Sequence, residues 1–229
     1  MIRKKESKEG YRCAEKMKIQ KIKERGILFI FDSFGWNLNV HLILGKRYNY
    51  LIDTGLGPLC IEPVKEYIVG GDRPLMVINT HYHWDHIWGN ASLKDSVIIS
   101  HKLCRDKIKA EWDAMLEKNR QYCCGNVEMR LPDIVFDSEL YFPEDKVRIL
   151  YTPGHTIDSI SVMDEEDRVI NLGDNIGDTV EEIVPNIYSE KDIYVDTLLK
   201  YSKMDFDFCV SGHNDVLGKN VIKDILKAI

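Results

Sequence analysis

The chain reads as an α/β (α+β) protein in which two β-sheets pack face to face with helices on their outer surfaces. Strand-like runs dominate its first part, and short apolar strands alternating with helices make up the rest. The two textures fill segments of similar size, with no Pro-, Gly- or Ser-rich linker, low-complexity run or tandem repeat between them. Sheets packed on one another with helices outside fit that order. The reading places a flexible tail at residues 1–16 and a single domain over residues 17–229.

The elements follow in turn. From Met17 the stretch Lys18-Ile19-Gln20-Lys21-Ile22-Lys23 is strand-like, Glu24-Arg25-Gly26 is a turn, and Ile27-Leu28-Phe29-Ile30-Phe31 is a second strand. Apolar runs at 38–44 and 48–52, separated by Gly45-Lys46-Arg47, complete a meander. Asp53-Thr54-Gly55-Leu56-Gly57-Pro58 is rich in turn formers and leads into a helix through Val69. Residues 75–79 and 97–99 are short buried strands. Residues 103–119 have helical spacing, with Leu103, Ile108, Trp112, Met115 and Leu116 as the apolar members. After a looser stretch, residues 147–151, 159–163 and 168–172 are strand-like and 190–203 helical. A last strand, Phe208-Cys209-Val210, and a helix over 221–229 close the chain.

A chain of 229 residues with 44% hydrophobic content can bury a large core without disulfides or a structural metal. Any metal here would therefore serve chemistry rather than folding. The net charge of −6 disfavours a nucleic-acid partner, although a local basic patch would survive it. Arg3, Lys4, Lys5 and Lys8 are diluted by Glu6 and Glu9 and read as a solvated tail. No N-terminal apolar run has the length of a signal peptide, and none approaches a membrane span. A cytoplasmic protein with no membrane partner is the expectation. The cysteines (Cys13, Cys60, Cys104, Cys123, Cys124, Cys209) form no C-x-x-C pair, so a zinc ribbon or thioredoxin-like motif is not supported. Reduced thiols are expected. Cys209 lies in an apolar run, while Cys123 and Cys124 fall in a loop.

Three of the seven histidines, His81, His83 and His86, fall within six residues, with Asp85 among them. Imidazole and carboxylate together suit zinc and neighbouring divalent metals. His81 and His83 are two apart, so in an extended segment their side chains point to the same side. Asp85 and His86 are adjacent and, after a turn, address a second point nearby. One loop can thus feed two metals. Downstream, Tyr151-Thr152-Pro153-Gly154-His155-Thr156 places a histidine after a strand. Asn171-Leu172-Gly173-Asp174 places a carboxylate after another, and Ser211-Gly212-His213 a histidine after the last. A lone loop histidine is more often structural than functional. Their shared position at the C-terminal ends of strands, however, is where α/β proteins collect functional loops.

These motifs resemble the metallo-β-lactamase-fold superfamily, whose H-x-H-x-D-H signature stands here as His81-Tyr82-His83-Trp84-Asp85-His86. Gly154-His155-Thr156, Gly173-Asp174 and Gly212-His213 follow in the family's order, from a resemblance that runs from about Met17 to the C-terminus. Asp53-Thr54-Gly55 matches the family's D-T-G turn, which supports the loop rather than binding metal. The resemblance implies a four-layer αββα sandwich of two mixed β-sheets with outer helices and metals at one sheet edge. It also implies His81, His83 and His155 on a first metal, Asp85, His86 and His213 on a second, and Asp174 bridging them. His41 and His101 stay outside this set as structural residues, with His101 a candidate for the pocket entrance.

Two divalent ions, zinc first with iron or manganese accommodated, would share one water and make it a hydroxide near neutral pH. The expected reaction is attack on an ester, thioester or lactone carbonyl of a small molecule. Asp85, which both binds metal and holds the nucleophile in line, is the candidate catalytic residue. No G-x-S-x-G points to a serine nucleophile. A bridging aspartate, as the resemblance implies, goes with thioester, lactone and phosphodiester hydrolases more than with true β-lactamases. Phosphodiesterase or nuclease action, and a diiron redox role on the same fold, stay open as alternatives. No basic arm, C-terminal helical domain or flavodoxin domain of the specialised relatives is visible. The segment 102–131 resembles the helical insert that caps the pocket in many members, and Trp112, Met115, Tyr122 and Cys123 there are candidate substrate contacts. A buried helix stripe competes with that role for Trp112 and Met115. Trp84 and Trp88 flank the ligand loop, and Asp158 stands where a glycine is frequent. Exposed edge strands and the apolar 221–229 segment would permit a homodimer.

Overall fold

In the computed structural model, which describes residues 17–32 and 34–229, the strands sort into two sheets. The tail reading for residues 1–16 lies outside the described residues. The first sheet holds seven strands in chain order: β1 (Met17–Ile22), β2 (Gly26–Phe31), β3 (Leu38–Leu44), β4 (Asn49–Ile52), β5 (Leu75–Ile78), β6 (Val97–His101) and β7 (Ile134–Phe136). Pairing is antiparallel from β1 to β4 and parallel from β4 to β7. The parallel strands need crossovers, supplied by helix α1 (Pro58–Ile68), the one-turn helix α2 (Trp84–Ile87) and helix α3 (Lys102–Asn119).

The second sheet is built from β8 (Glu139–Phe142), β9 (Val147–Tyr151), β10 (Ile160–Asp164), β11 (Val169–Asn171), β12 (Phe208–Val210) and β13 (Leu217–Gly218). Its spatial order is β13-β12-β11-β10-β9-β8, and only β11 and β12 run parallel. Helices α4 (Lys191–Lys203) and α5 (Asn220–Ala228) complete the chain. The two mixed sheets with helices outside are the expected αββα sandwich.

Strand periodicity builds the layers. On β3, Val40 and Leu42 turn outward and join Cys60, Ile61 and Val64 of α1 in one core. Ile43 turns inward and meets Tyr50, Ile52, Ile78 and Ile99 of its own sheet and Val147, Ile149, Ile160 and Val162 of the other. On the far side Ile170 and Cys209 pack against Tyr194, Leu198 and Tyr201 of α4 and Ile222 and Ile225 of α5. Each sheet therefore buries both faces, the condition for near-continuous apolar strands. The sequence reading missed β7 and β8 in its looser stretch. β7 is a three-residue edge strand with Ile134 and Val135 exposed, and β8 is half exposed along its length, so neither carries a buried pattern. The expected 168–172 strand shortens because Arg168 takes a left-handed backbone (φ 57°).

His41 lies on the inward face of β3, fully buried, with neither ring nitrogen hydrogen-bonded. Burial lowers its pKa from 6.5 to about 4. In the unfolded chain it takes up a proton near pH 6.5, so stability falls as the pH drops from there towards 4 and His41 adds no further change below. The full gap corresponds to about 3 kcal/mol. His41→Leu is expected to flatten the decline in urea-unfolding stability between pH 7 and 4 by about that amount. Equal declines in variant and parent would show that His41 is not the proton acceptor.

Candidate metal centre

Four strand ends bring the candidate residues to one edge of the sandwich. β5 ends just before Asn79-Thr80, and the chain bends at Thr80, His81 and Tyr82 rather than running on extended as expected; His83 then caps α2 at φ −62°, ψ 146°. The single turn of α2 then carries Asp85 and His86 to a neighbouring point, tied back by His86 N–H donating to the His83 carbonyl at 3.0 Å. His155 follows β9, its N–H donating to Asn175 Oδ1 at 2.7 Å. Asp174 follows β11 through Gly173, which takes φ 53°. His213 follows β12 after Gly212, where any Cβ would collide with the Asp174 carboxylate and the His86 ring. Glycine is required there because the Gly212 backbone runs directly against those two side chains.

The seven side chains form two groups, His81, His83, His155 and Asp174, and Asp85, His86 and His213, with the candidate ligand atoms in each within 4.8 Å of one another. His83 Nδ1 lies 3.0 Å from both His81 Nε2 and His155 Nε2. Asp174 Oδ2 lies 3.2 Å from His86 Nε2, 3.4 Å from His213 Nε2, 3.6 Å from His81 Nε2 and 3.8 Å from His155 Nε2. It thereby touches both groups. Asp85 Oδ2 is 3.3 Å from His213 Nε2. Two donors on one tetrahedral zinc ion lie about 3.4 Å apart, so these spacings match a shared cation. His86 Nε2 and Asp174 Oδ1 are buried without a hydrogen-bond partner. Orphaned atoms of this kind cost about 1–3 kcal/mol each, and a cation would satisfy them. The donor set fits divalent metal.

The local electrostatics agree. Burial, reinforced by the neighbouring histidines, pushes His81 well below its ordinary value and His83 down to about 4, leaving both as neutral imidazoles. Burial also opposes charge on His86 and His213, but the carboxylates of Asp174 and Asp85, with Asp53 beside His86, outweigh it and raise both well above the usual range. The same contacts overcome burial at Asp174 and Asp85 and hold both carboxyls below their ordinary value. The pocket thus stabilises positive charge at its centre.

A further set of contacts aims the rings. His86 Nδ1 bonds Asp53 Oδ2 at 2.8 Å, and Asp53 is itself held by the N–H and Oγ1 of Thr80, each at 2.7 Å. His155 Nδ1 donates to the Asn186 carbonyl at 2.6 Å and His213 Nδ1 to the Asn37 carbonyl at 2.8 Å. Each bond turns the other ring nitrogen towards the centre. Asp53 therefore does more than support its loop: it orients His86 directly. Asp53→Ala is expected to weaken zinc binding 10- to 100-fold, about the usual cost of losing such a contact, as read by chelator competition. An unchanged affinity would remove Asp53 from this role.

A cavity of about 530 Å³ opens onto His83, Asp85, His155, Asp174 and His213. One wall is α3, through Ala110, Glu111, Ala114, Met115 and Lys118; another is the loop bearing Asp178, Asn186 and Tyr188. An adjoining groove of about 450 Å³ is lined by Trp36, Trp84, Asn119, Tyr122 and Asp178. Tyr122 lines the groove, and Met115 borders the cavity while belonging to the buried stripe of α3. Trp112 instead packs with Ile87, Trp88, Cys104 and Ile108, and Cys123 lines neither space. His101 caps α3, accepting from Leu103 N–H at 3.3 Å, and stacks on Tyr151, away from the cavity mouth. Asp158 is fully buried with neither oxygen hydrogen-bonded, and burial pushes its pKa up to about 6. Sequence reasoning missed Trp36, Asp178, Asn186 and Tyr188, which belong to no motif.

Cys124 is disulfide-bonded, against the expectation of reduced thiols, while Cys60, Cys104, Cys123 and Cys209 are free. Pairing depends on Cα separation in space, which residue spacing does not reveal. No helix among the described residues is long and apolar enough to cross a membrane.

An αββα sandwich with histidines and aspartates from both sheets gathered at one edge defines a metal-site fold. The family model of the metallo-beta-lactamase superfamily matches residues 34–213, and the chain belongs to that superfamily. It is 27% identical over 197 residues to the beta-lactamase-like protein 2 homolog of Caenorhabditis elegans, covering 81% of this chain and 58% of that one. It is 27% identical over 150 residues to the hydroxyacylglutathione hydrolase of Rhodopseudomonas palustris, covering 63% of this chain and 50% of the relative. Against the human acyl-coenzyme A thioesterase MBLAC2 the identity is 25% over 185 residues, covering 67% and 64%. The chain thus spans less than two thirds of the length of these relatives. Among solved structures, the archaeal superfamily protein of Sulfolobus tokodaii superposes with a TM-score of 0.67 at 18% identity, covering 83% of this chain and 79% of that one, a likeness of fold.

Proposed function

We propose that the protein is a dinuclear zinc hydrolase of esters, thioesters or lactones, with thioesters the leading substrate class. One observation carries this reading: Asp174 Oδ2 lies within 3.8 Å of histidine nitrogens from both ligand groups, as a bridging carboxylate must. The thioesterase and hydroxyacylglutathione hydrolase names of the relatives support the choice of bond. His81, His83 and His155 would hold one ion, Asp85, His86 and His213 the other, and Asp174 would join them.

When bound, two divalent ions there supply a water deprotonated near neutral pH and an electrophile for the carbonyl oxygen. The chain does the rest. Asp85 lines both the cavity and the groove, so its carboxylate is placed to hold the attacking nucleophile in line. The α3 face and the loop bearing Tyr188 form two walls of the cavity in which the carbonyl would lie. Tyr188 stands edge-on to His83 and His155, at ring centroid distances of 5.6 and 5.2 Å, and borders the first ligand group on the cavity side. Holding the carbonyl and the nucleophile in one orientation is the main source of rate acceleration available to such a site, beyond the ions themselves.

The test pairs elemental analysis of the purified protein with a panel of aryl esters, thioesters, lactones and bis-phosphodiesters. About two zinc ions per chain and carbonyl hydrolysis that disappears in Asp85→Ala are expected. Turnover confined to the phosphodiesters would move the protein to the nuclease branch. Two irons without hydrolysis would make it a redox protein, and absence of metal under every loading condition would overturn the reading.

A further inference from the structure

The two spaces beside the candidate metal centre share Trp84, Asp85, Asn119, Asp178 and His213 and differ in what each adds. The larger cavity mixes Glu111, Lys118, Asn186 and Tyr188. The adjoining groove is aromatic and acidic. Trp36 stands nearly perpendicular to Trp84 and Tyr122, at 84° and 71° with ring centroids 6.3 and 6.4 Å apart. Trp84 and Tyr122 lie nearly parallel, at 25° and 5.1 Å. Trp84 and Tyr122 thus stack on each other, Trp36 stands across both with Phe34 stacked on it, and the three rings reach the groove as one packed cluster. Asp178 and Asn119 supply its polar side, Asp85 and His213 border it, and no lysine or arginine lines it.

Aromatic faces carry the negative part of the ring quadrupole and attract cations. A carboxylate beside them adds a full negative charge. A neutral chain would match the rings but cover the exposed Asp178 carboxylate, and an anionic group would meet Asp178 and Asp85 as like charges. A carbon-rich cation satisfies every wall at once.

We propose that this groove binds an organic ammonium group of the substrate, held by Trp36, Trp84, Tyr122 and Asp178 next to Asp85 and His213. The preferred ester or thioester then carries a protonated amine or quaternary ammonium a few bonds from the carbonyl. This rests on the hydrolase reading above for the reaction, but not for the binding.

The experiment separates the two. Tetramethylammonium chloride is titrated into metal-free and zinc-loaded protein, with sodium chloride at equal ionic strength as control, and tryptophan fluorescence is followed. Saturable quenching is expected, with a dissociation constant raised at least about tenfold by Asp178→Asn and by Trp36→Leu. Circular dichroism and zinc content verify that the variants fold. Choline butyrate is then compared with 3,3-dimethylbutyl butyrate, which has the same shape with a neutral carbon in place of nitrogen. The choline ester should be favoured about tenfold or more in kcat/KM, with the difference in KM. Equal use of both esters, or unchanged tetramethylammonium binding in Asp178→Asn, would overturn the proposal. So would an Asp178→Asn variant that loses zinc but binds the cation as before, since the carboxylate would then serve the metal centre alone. If neither ester is cleaved while the ammonium still binds, the hydrolase reading fails and the cation site stands.

Discussion

Asp174→Asn is expected to lower kcat/KM on the preferred ester or thioester by about a thousandfold, equivalent to about 4 kcal/mol of transition-state stabilisation. The side chain keeps its shape in this variant and loses only its charge. That charge is what lets one oxygen sit within 3.8 Å of four histidine nitrogens drawn from both ligand groups. Its position is enforced from two sides, by the left-handed Gly173 before it and by Gly212, whose missing side chain leaves room for its carboxylate. A neutral amide there would present an N–H or a weak carbonyl ligand to the pair of sites, and the bound metal should fall from about two ions per chain to one or fewer. Elemental analysis and steady-state kinetics on the same preparation check both parts. A variant that keeps two ions and activity within tenfold of the parent would exclude a bridging role.

Stripping metal with a chelator is expected to lower the thermal midpoint by about 10 °C. Free zinc at a thousand times its dissociation constant stabilises a folded site by about 4 kcal/mol, and each kcal/mol moves the midpoint of a chain this size by about 2–4 °C. The magnitude follows from what the metal-free centre contains: five histidine rings and two carboxylates gathered in buried positions, with His86 Nε2 and Asp174 Oδ1 unsatisfied. Protons compete with metal for imidazole and carboxylate. The difference between loaded and stripped protein should therefore be largest at neutral to mildly alkaline pH and shrink as the pH falls below about 6. Scanning calorimetry with and without chelator measures it. Identical midpoints at pH 7.5 would mean that the cluster does not bind metal tightly enough to matter for either folding or catalysis.

Much of this was legible before any coordinates. The β-meander, the alternating second part and the ligand-rich loop all depend on local signals. Apolar alternation requires strands, and His81 and His83 do meet at one point as their spacing of two suggested, although the chain bends there instead of running extended. Helix α3 was legible from its apolar spacing, and the buried partners of Trp112 show why that stripe exists. The edge strands β7 and β8 were not legible, because a strand half exposed to solvent carries no buried pattern to read. Asp53 looked like a turn former, and its bond to His86 spans 33 positions in sequence.

The strand and helix texture and the His81–His86 cluster could be read from neighbouring residues, while the αββα layering and the full set of seven candidate ligands came through the family resemblance that the motifs carry. What only the tertiary structure decided is the company those residues keep. Trp36 from the β2–β3 loop, Tyr122 after α3, and Asp178 and Tyr188 from the loop after β11 meet only when the two sheets close on each other. No local rule links these segments, since contacts between residues distant in sequence are selected by packing of the whole sandwich rather than by propensity. The candidate ligands were readable from motifs and the resemblance they carry, whereas the shape and charge of the space beside them came from closure of the fold.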